Sequence, residues 1–154
     1  MPLEEGQPAP DFKLPADDGK AVHLAKFKGA PVVIFFYPED DTPGCTIEAI
    51  DFTRLAPDFA KAGARIIGIS PDSIADHCAF RDKHKLGVTL AADEDKAVSD
   101  AYGVWVEKTY DGKTSMGIER TTLLVDAKGQ IAKVWRKVKV EGHAQKVLEA
   151  VKAL

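Results

Sequence analysis

The stretch that most constrains this chain is Val32-Val33-Ile34-Phe35-Phe36-Tyr37, six residues apolar on both faces of an extended strand. Such a strand is suited to the centre of a sheet covered on both sides. It runs into Pro38-Glu39-Asp40-Asp41-Thr42-Pro43-Gly44-Cys45-Thr46-Ile47-Glu48, which carries the signals of a helix start. Thr42 is a favoured N-cap, Pro43 fits the first helical position, where its missing N–H would be unpaired anyway, and Cys45 falls third. A sulfur there faces free backbone N–H groups and the positive end of the helix dipole, both of which favour thiolate over thiol. Free cysteine is more often a small buried hydrophobe. Here the flanking prolines, the acidic run before the cap and Gly44, which lets another group approach the backbone, argue against a core position.

A chain of 154 residues suits one domain spanning 1–154 and needs no disulfide or metal staple. Its two cysteines are not a disulfide framework. No apolar segment follows a basic N-terminus and no long apolar run occurs, so neither export nor membrane insertion is indicated, and a reducing cytoplasm is the expected compartment. The net charge of -3, with basic residues scattered among acidic ones, lacks the electrostatic footprint of a nucleic-acid binder. Lys133, Arg136, Lys137 and Lys139 are a local exception, read as a solvated strand face near a sheet edge.

Pro8 to Leu24, with Phe12, Leu14, Val22 and Leu24 around Asp18-Gly19, reads as an N-terminal hairpin. A helix follows from Pro43, carrying Phe52, Leu55, Ala56, Phe59 and Ala60 at helical spacing; Pro57 is expected to kink or interrupt it, and Gly63 to end it. Arg65 to Ile69 is a second buried strand, leading into a helix from Ser73 to Lys85 that stops near Gly87. Asp95 to Tyr102 forms a short helix. Val106 to Gly117 shows no periodicity and is expected to be a mobile loop. Thr121 to Val125 and Gln130 to Arg136 make a hairpin, and Gly142 to Leu154 a closing helix with Ala144, Val147, Leu148 and Val151 on its apolar side. This order implies an α/β architecture, a central mixed β-sheet with helices on both faces.

The pattern Pro38-x-x-x-Thr42-x-x-Cys45 resembles the peroxidatic motif of the peroxiredoxins, and Tyr37-Pro38 through Thr42-Pro43-Gly44-Cys45-Thr46-x-Glu48 is similar to their bacterioferritin comigratory protein, or PrxQ, subfamily. Gly68 to Ser73, Gly117 to Asp126, and Trp135-Arg136-Lys137-Val138 with Gly142-His143 extend the likeness over nearly the whole chain. The resemblance implies a thioredoxin-like fold with an N-terminal β-hairpin extension. It also implies a thiol peroxidase acting on hydrogen peroxide and organic hydroperoxides, without cofactor or metal, and recycled by thioredoxin.

On the same resemblance, Cys45 is the nucleophile, Thr42 hydrogen-bonds near sulfur and peroxide, Arg120 favours thiolate and transition state, and Pro38 shields the site. Glu48, one turn past Cys45, could orient Arg120 by a charge-assisted hydrogen bond. Read without the motif, Thr42 is a cap, Pro38 ends a strand, and Arg120 and Glu48 are surface charges. The sulfenic acid left on Cys45 must be trapped by a thiol. Relatives carry a resolving cysteine where this chain has Ile50, or in the following helix where it has Arg81. Cys78, one turn before Arg81, is the candidate resolving residue; a small apolar residue beside Ile74 is the open alternative.

No C-x-x-C is present for a disulfide reductase. Metal binding through Cys78 and His77, or His23, His84 and His143, is disfavoured because no tight Cys/His spacing recurs. A one-cysteine peroxidase using an external thiol, and a redox-sensing or chaperone-like protein using the same thiol without turnover, are the remaining alternatives. The chain lacks the long C-terminal extension with which other peroxiredoxins resolve across a dimer, and a monomer is expected.

Overall fold

β3 (Val32–Phe36) is buried along its whole length and divides the interior by alternation. Val33, Phe35 and Tyr37 enter one apolar cluster, and Val32, Ile34 and Phe36 enter the other. The computed structural model describes residues 3–154. On one side β3 pairs in parallel with β4 (Arg65–Ser70), which pairs in parallel with β5 (Thr89–Ala92). On the other it pairs antiparallel with β8 (Thr121–Val125), followed by β9 (Ile131–Trp135). The result is the expected mixed sheet, five strands in the order β5-β4-β3-β8-β9. β9 lies at an edge, and Lys133, Arg136, Lys137 and Lys139 beside it are exposed as anticipated.

Three helices cover the first cluster: α1 (Pro43–Lys61), α2 (Ile74–His84) and α4 (His143–Lys152). They contribute Phe52, Leu55 and Phe59, then Phe80, then Ala144, Val147, Leu148 and Val151. The second face is covered by the N-terminal hairpin of β1 (Lys13–Pro15) and β2 (Ala21–His23), with short α3 (Ala97–Ala101) placing Val98 and Tyr102 against it. Gly68 of β4 lies opposite Phe35 of β3, and a Cβ there would stand 2.6 Å from the ring, so only glycine leaves the phenylalanine its space. No helix among the described residues is long and apolar enough to cross a membrane.

Two sequence expectations are corrected. Pro57 lies inside α1 without interrupting it, because Phe52 and Leu55 before it and Phe59 after it anchor both halves in one core. Val106 to Gly117 is not a structureless loop: β6 (Trp105–Tyr110) and β7 (Lys113–Ile118) pair antiparallel across Asp111-Gly112, both at positive φ, a two-residue hairpin turn. Its polar residues on both faces hid the period, although the Asp-Gly pair was a usable signal. By contrast, α2 agrees with the expected Ser73 to Lys85 span, with Ser73 as N-cap and Lys85 closing it in the left-handed conformation near Gly87. Strand β5, only four residues long, escaped the pattern reading altogether.

Candidate active site

The turn after β3 delivers the first turn of α1 to the end of the central sheet. Thr42 is extended at φ -93, ψ 154, and Pro43, Gly44 and Cys45 follow as the first three helical residues. The cap differs from expectation. The Thr42 hydroxyl makes no side-chain cap bond and donates instead to the Glu39 carbonyl at 2.8 Å, so it folds the turn back on itself and leaves the first-turn N–H groups to other partners. Its oxygen retains lone pairs that can accept a hydrogen bond.

Cys45 is 1% exposed and belongs to the cluster that includes Tyr37, Ala49 and Phe52. This overturns the expectation, from the prolines and acidic residues around the cap, that Cys45 lies outside the core. The correction has a simple cause: those residues sit on the turn, whereas the inner face of the helix is packed from its first turn onward.

Arg120 precedes β8, whose register sets Thr121 opposite Phe36 and so carries the arginine to the end of β3. Across 75 residues of sequence, its Nη2 donates to Cys45 Sγ at 3.3 Å, while Nη1 donates to Glu48 Oε1 at 2.8 Å. The planar guanidinium thus joins the thiol to the carboxylate one helical turn later. A Cβ on Gly44 would stand 3.1 Å from Arg120 Nη2, so the close approach inferred for this glycine is made by the arginine. The Arg120 carbonyl accepts from the Val138 N–H at 3.1 Å, which fixes the backbone behind the side chain.

Glu48 is buried, and its Oε2 has no hydrogen-bond partner among the described residues. Burial pushes its carboxyl up to about 7 despite the pull of Arg120. For Arg120, burial works against the cation, but Glu48 and then Cys45 outweigh it and hold the guanidinium charged.

Pro38 is half-buried where the turn leaves β3. Cys78 lies apart from the Cys45–Arg120–Glu48 group. Both cysteines are free, and the half-buried Cys78 thiol donates to the Asp17 carbonyl at 3.5 Å. Arg81, one turn further along α2, donates to the same carbonyl at 2.6 Å. Ile50 is exposed on α1.

Sequence reading weighed His77 and His143 only as metal ligands and missed that both are buried with defined partners. His143 Nε2 lies 2.8 Å from Thr122 Oγ1, and burial lowers this imidazole to about 4, so it is neutral at pH 7. His77 lies among Asp40, Asp72, Tyr37 and the Ala91 carbonyl. Their hydrogen bonds to one another make this a closed network rather than an open ligand set. The signal was present in two strand ends, Tyr37-Pro38-x-Asp40 and Ser70-Pro71-Asp72, each placing an aspartate just beyond a buried strand. His23 and His84 pair with Asp11 and Asp41.

The sequence pattern of the AhpC/TSA family matches residues 5–134. Peroxiredoxin Bcp of Bacillus subtilis is 46% identical over 152 residues, covering 99% of this chain and 97% of the relative. Peroxiredoxin Bcp of Escherichia coli K12 is 41% identical over 151 residues, covering 98% and 97%. A solved structure of the Xanthomonas campestris bacterioferritin comigratory protein, described for its alkyl peroxide reduction activity, superposes with a TM-score of 0.92 at 43% identity, covering 97% of this chain and 98% of that one. A Xylella fastidiosa PrxQ mutant superposes with a TM-score of 0.94 at 32% identity, covering 99% and 98%. With a thioredoxin-like α/β sheet and a cysteine at the helix start hydrogen-bonded to a half-buried arginine, the chain belongs to the AhpC/TSA family, in its bacterioferritin comigratory protein branch of thiol peroxidases.

Proposed function

We propose that the protein reduces hydrogen peroxide and organic hydroperoxides through Cys45, and that thioredoxin or a similar dithiol restores it. The observation that carries this reading is the single guanidinium that touches both Cys45 Sγ and Glu48. The thiolate attacks one peroxide oxygen, the O–O bond breaks, and the second oxygen leaves as alkoxide or hydroxide and takes up a proton, giving alcohol or water and a Cys45 sulfenic acid. Arg120 supplies a fixed positive charge where negative charge moves from sulfur to the leaving oxygen, in a site that excludes bulk water. Thr42 accepts from the peroxide, Pro38 shields the turn, and Glu48 keeps the arginine fork aimed.

Cys78 then attacks the sulfenic sulfur, forming a disulfide and releasing water, and the donor's dithiol reduces that bond. Because the Cys78 thiol points at Asp17 in the structure, this step requires the first turn of α1 or the start of α2 to open. The one-cysteine alternative has its own support in the same observation, since a partner thiol would then take the place of Cys78. A monomer working in a reducing cytoplasm completes the reading.

Stopped-flow oxidation of Arg120→Lys tests the central step. The substitution keeps the charge but loses the fork, and should slow sulfenic acid formation by about 100-fold while reduction by thioredoxin stays near wild type. An oxidation rate equal to wild type would remove Arg120 from the mechanism. Non-reducing peptide mapping after one equivalent of peroxide separates the two resolving schemes, since a Cys45–Cys78 disulfide supports the first and a persistent sulfenic acid the second.

A further inference from the structure

Behind the Cys45 turn lies the polar network that the thiol chemistry leaves unused. Asp40 Oδ2 is 2.6 Å from His77 Nδ1, Asp40 Oδ1 accepts from the Tyr37 hydroxyl at 2.6 Å, and the Asp40 N–H donates to Asp72 Oδ2 at 2.8 Å. Asp72 Oδ2 also accepts from the Ser70 hydroxyl at 2.5 Å, and His77 Nε2 lies 3.0 Å from the Ala91 carbonyl of β5. One residue further along the turn, Asp41 is held at φ 61, with its carboxylate on Lys83 Nζ at 2.6 Å and His84 Nε2 at 2.8 Å. The segment from Pro38 to Thr42 is therefore fastened to α2 at two consecutive residues, while its far end begins the helix that carries Cys45.

The geometry fixes a proton inventory. A carbonyl only accepts, so His77 Nε2 carries hydrogen. Nδ1 and the Asp40 carboxylate oxygen are both acceptors unless one more proton lies between them, and at 2.6 Å two facing lone pairs would repel. The groups facing the ring are Asp40 and Tyr37 from the end of β3 and its turn, Asp72 from the turn after β4, and the β5 carbonyl. Burial opposes a charged imidazole here, but Asp40 outweighs it, with help from the Ala91 carbonyl and Asp72, and holds His77 above its ordinary value. Tyr37, buried beside Asp40, keeps its proton.

We propose that His77 and Asp40 are positioning residues of the peroxidase site, holding the Pro38–Thr42 turn against α2 through one shared proton. Loss of that proton, or of the Asp40 carboxyl group, leaves only the Asp41 tie to α2 and loosens the turn and with it the first turn of α1. The kinetic consequence rests on the peroxidase reading: a looser turn lets the Cys45 sulfenic acid reach a thiol sooner, so fewer sulfurs meet a second peroxide and become sulfinic acid.

Asp40→Asn and Asp40→Ala test this together. Asparagine can keep the Tyr37 contact through its oxygen and donate from nitrogen to a neutral His77, which closes the latch without the shared proton; alanine removes it at every pH. In reduced Cys45→Ser protein, NMR titration should show the His77 ring changing with a midpoint above about 6.5, and the Asp40, Thr42 and Gly44 amides shifting with the same midpoint. Adding Asp40→Asn should abolish that shift. Turn amides that ignore the ring's titration, or that shift alike in the Asn variant, would overturn the proposal. With Cys45 present, the fraction converted to sulfinic acid by excess peroxide should fall roughly tenfold in Asp40→Ala and return toward wild type in Asp40→Asn; equal fractions in all three proteins would also overturn it. Failure of wild type to consume peroxide at all would instead defeat the peroxidase reading, while the NMR titration would still decide the positioning role.

Discussion

A carboxyl group with one oxygen unpaired in the core, as Glu48 Oε2 is among the described residues, carries a cost that depends on its proton. Burial raises Glu48 from 4.5 to about 7, so the folded state binds this proton more tightly than the unfolded chain does. The stability this proton contributes is complete below about pH 4.5 and is lost as pH rises to about 7. Glu48→Gln, which keeps an acceptor for Arg120, should flatten that fall when urea unfolding is followed across the window; an unchanged pH slope would contradict the assignment. Gly44 offers a second test at the same scale. Alanine is the better helix former by about 0.5–1 kcal/mol, but its Cβ would press on Arg120 Nη2 at 3.1 Å. Gly44→Ala should therefore slow oxidation of Cys45 without lowering the thermal midpoint, and an unaltered oxidation rate would show that the arginine gives way freely.

Among the elements, legibility followed hydrophobic period. β3, α1 and α4 carry their apolar residues at strand or helix spacing and were read with nearly the observed limits, and Ser73, read as the start of α2, is its N-cap, accepting from the Asp76 N–H at 3.1 Å. β6 and β7 are polar on both faces, so only their turn chemistry marked them. The Thr42 hydroxyl could have served the helix or the turn, and sequence alone does not weigh one local hydrogen bond against another. Pro57 shows tertiary packing overriding propensity, since α1 continues through it. It is exposed, and its ring costs the helix a backbone hydrogen bond, so Pro57→Ala should raise stability by about 1–3 kcal/mol in chemical denaturation. A loss of stability would mean that a bend at this proline is needed to seat Phe59.

At the scale of the molecule, the site is a product of sheet register. The motif located Cys45 and Thr42 because they are close in sequence, and resemblance supplied Arg120, but nothing local shows that an arginine 75 residues away meets the sulfur. Antiparallel pairing of β8 with β3 does that, and the parallel β3–β4–β5 half of the sheet brings Asp72 and the Ala91 carbonyl to the same edge, where α2 adds His77. The burial of Cys45 is equally a whole-fold property, set by how α1 lies on the sheet. In the proposed reading the fold presents one sulfur to one guanidinium, and the most direct measurement is single-turnover peroxide consumption by the reduced wild type and by Cys45→Ser, with circular dichroism confirming that both are folded. Wild type should consume about one equivalent rapidly and yield a Cys45-containing peptide oxidised at sulfur, and Cys45→Ser should consume none above the buffer rate. Rapid consumption by folded Cys45→Ser, or oxidation found first on Cys78, would contradict the assignment of Cys45 as the nucleophile.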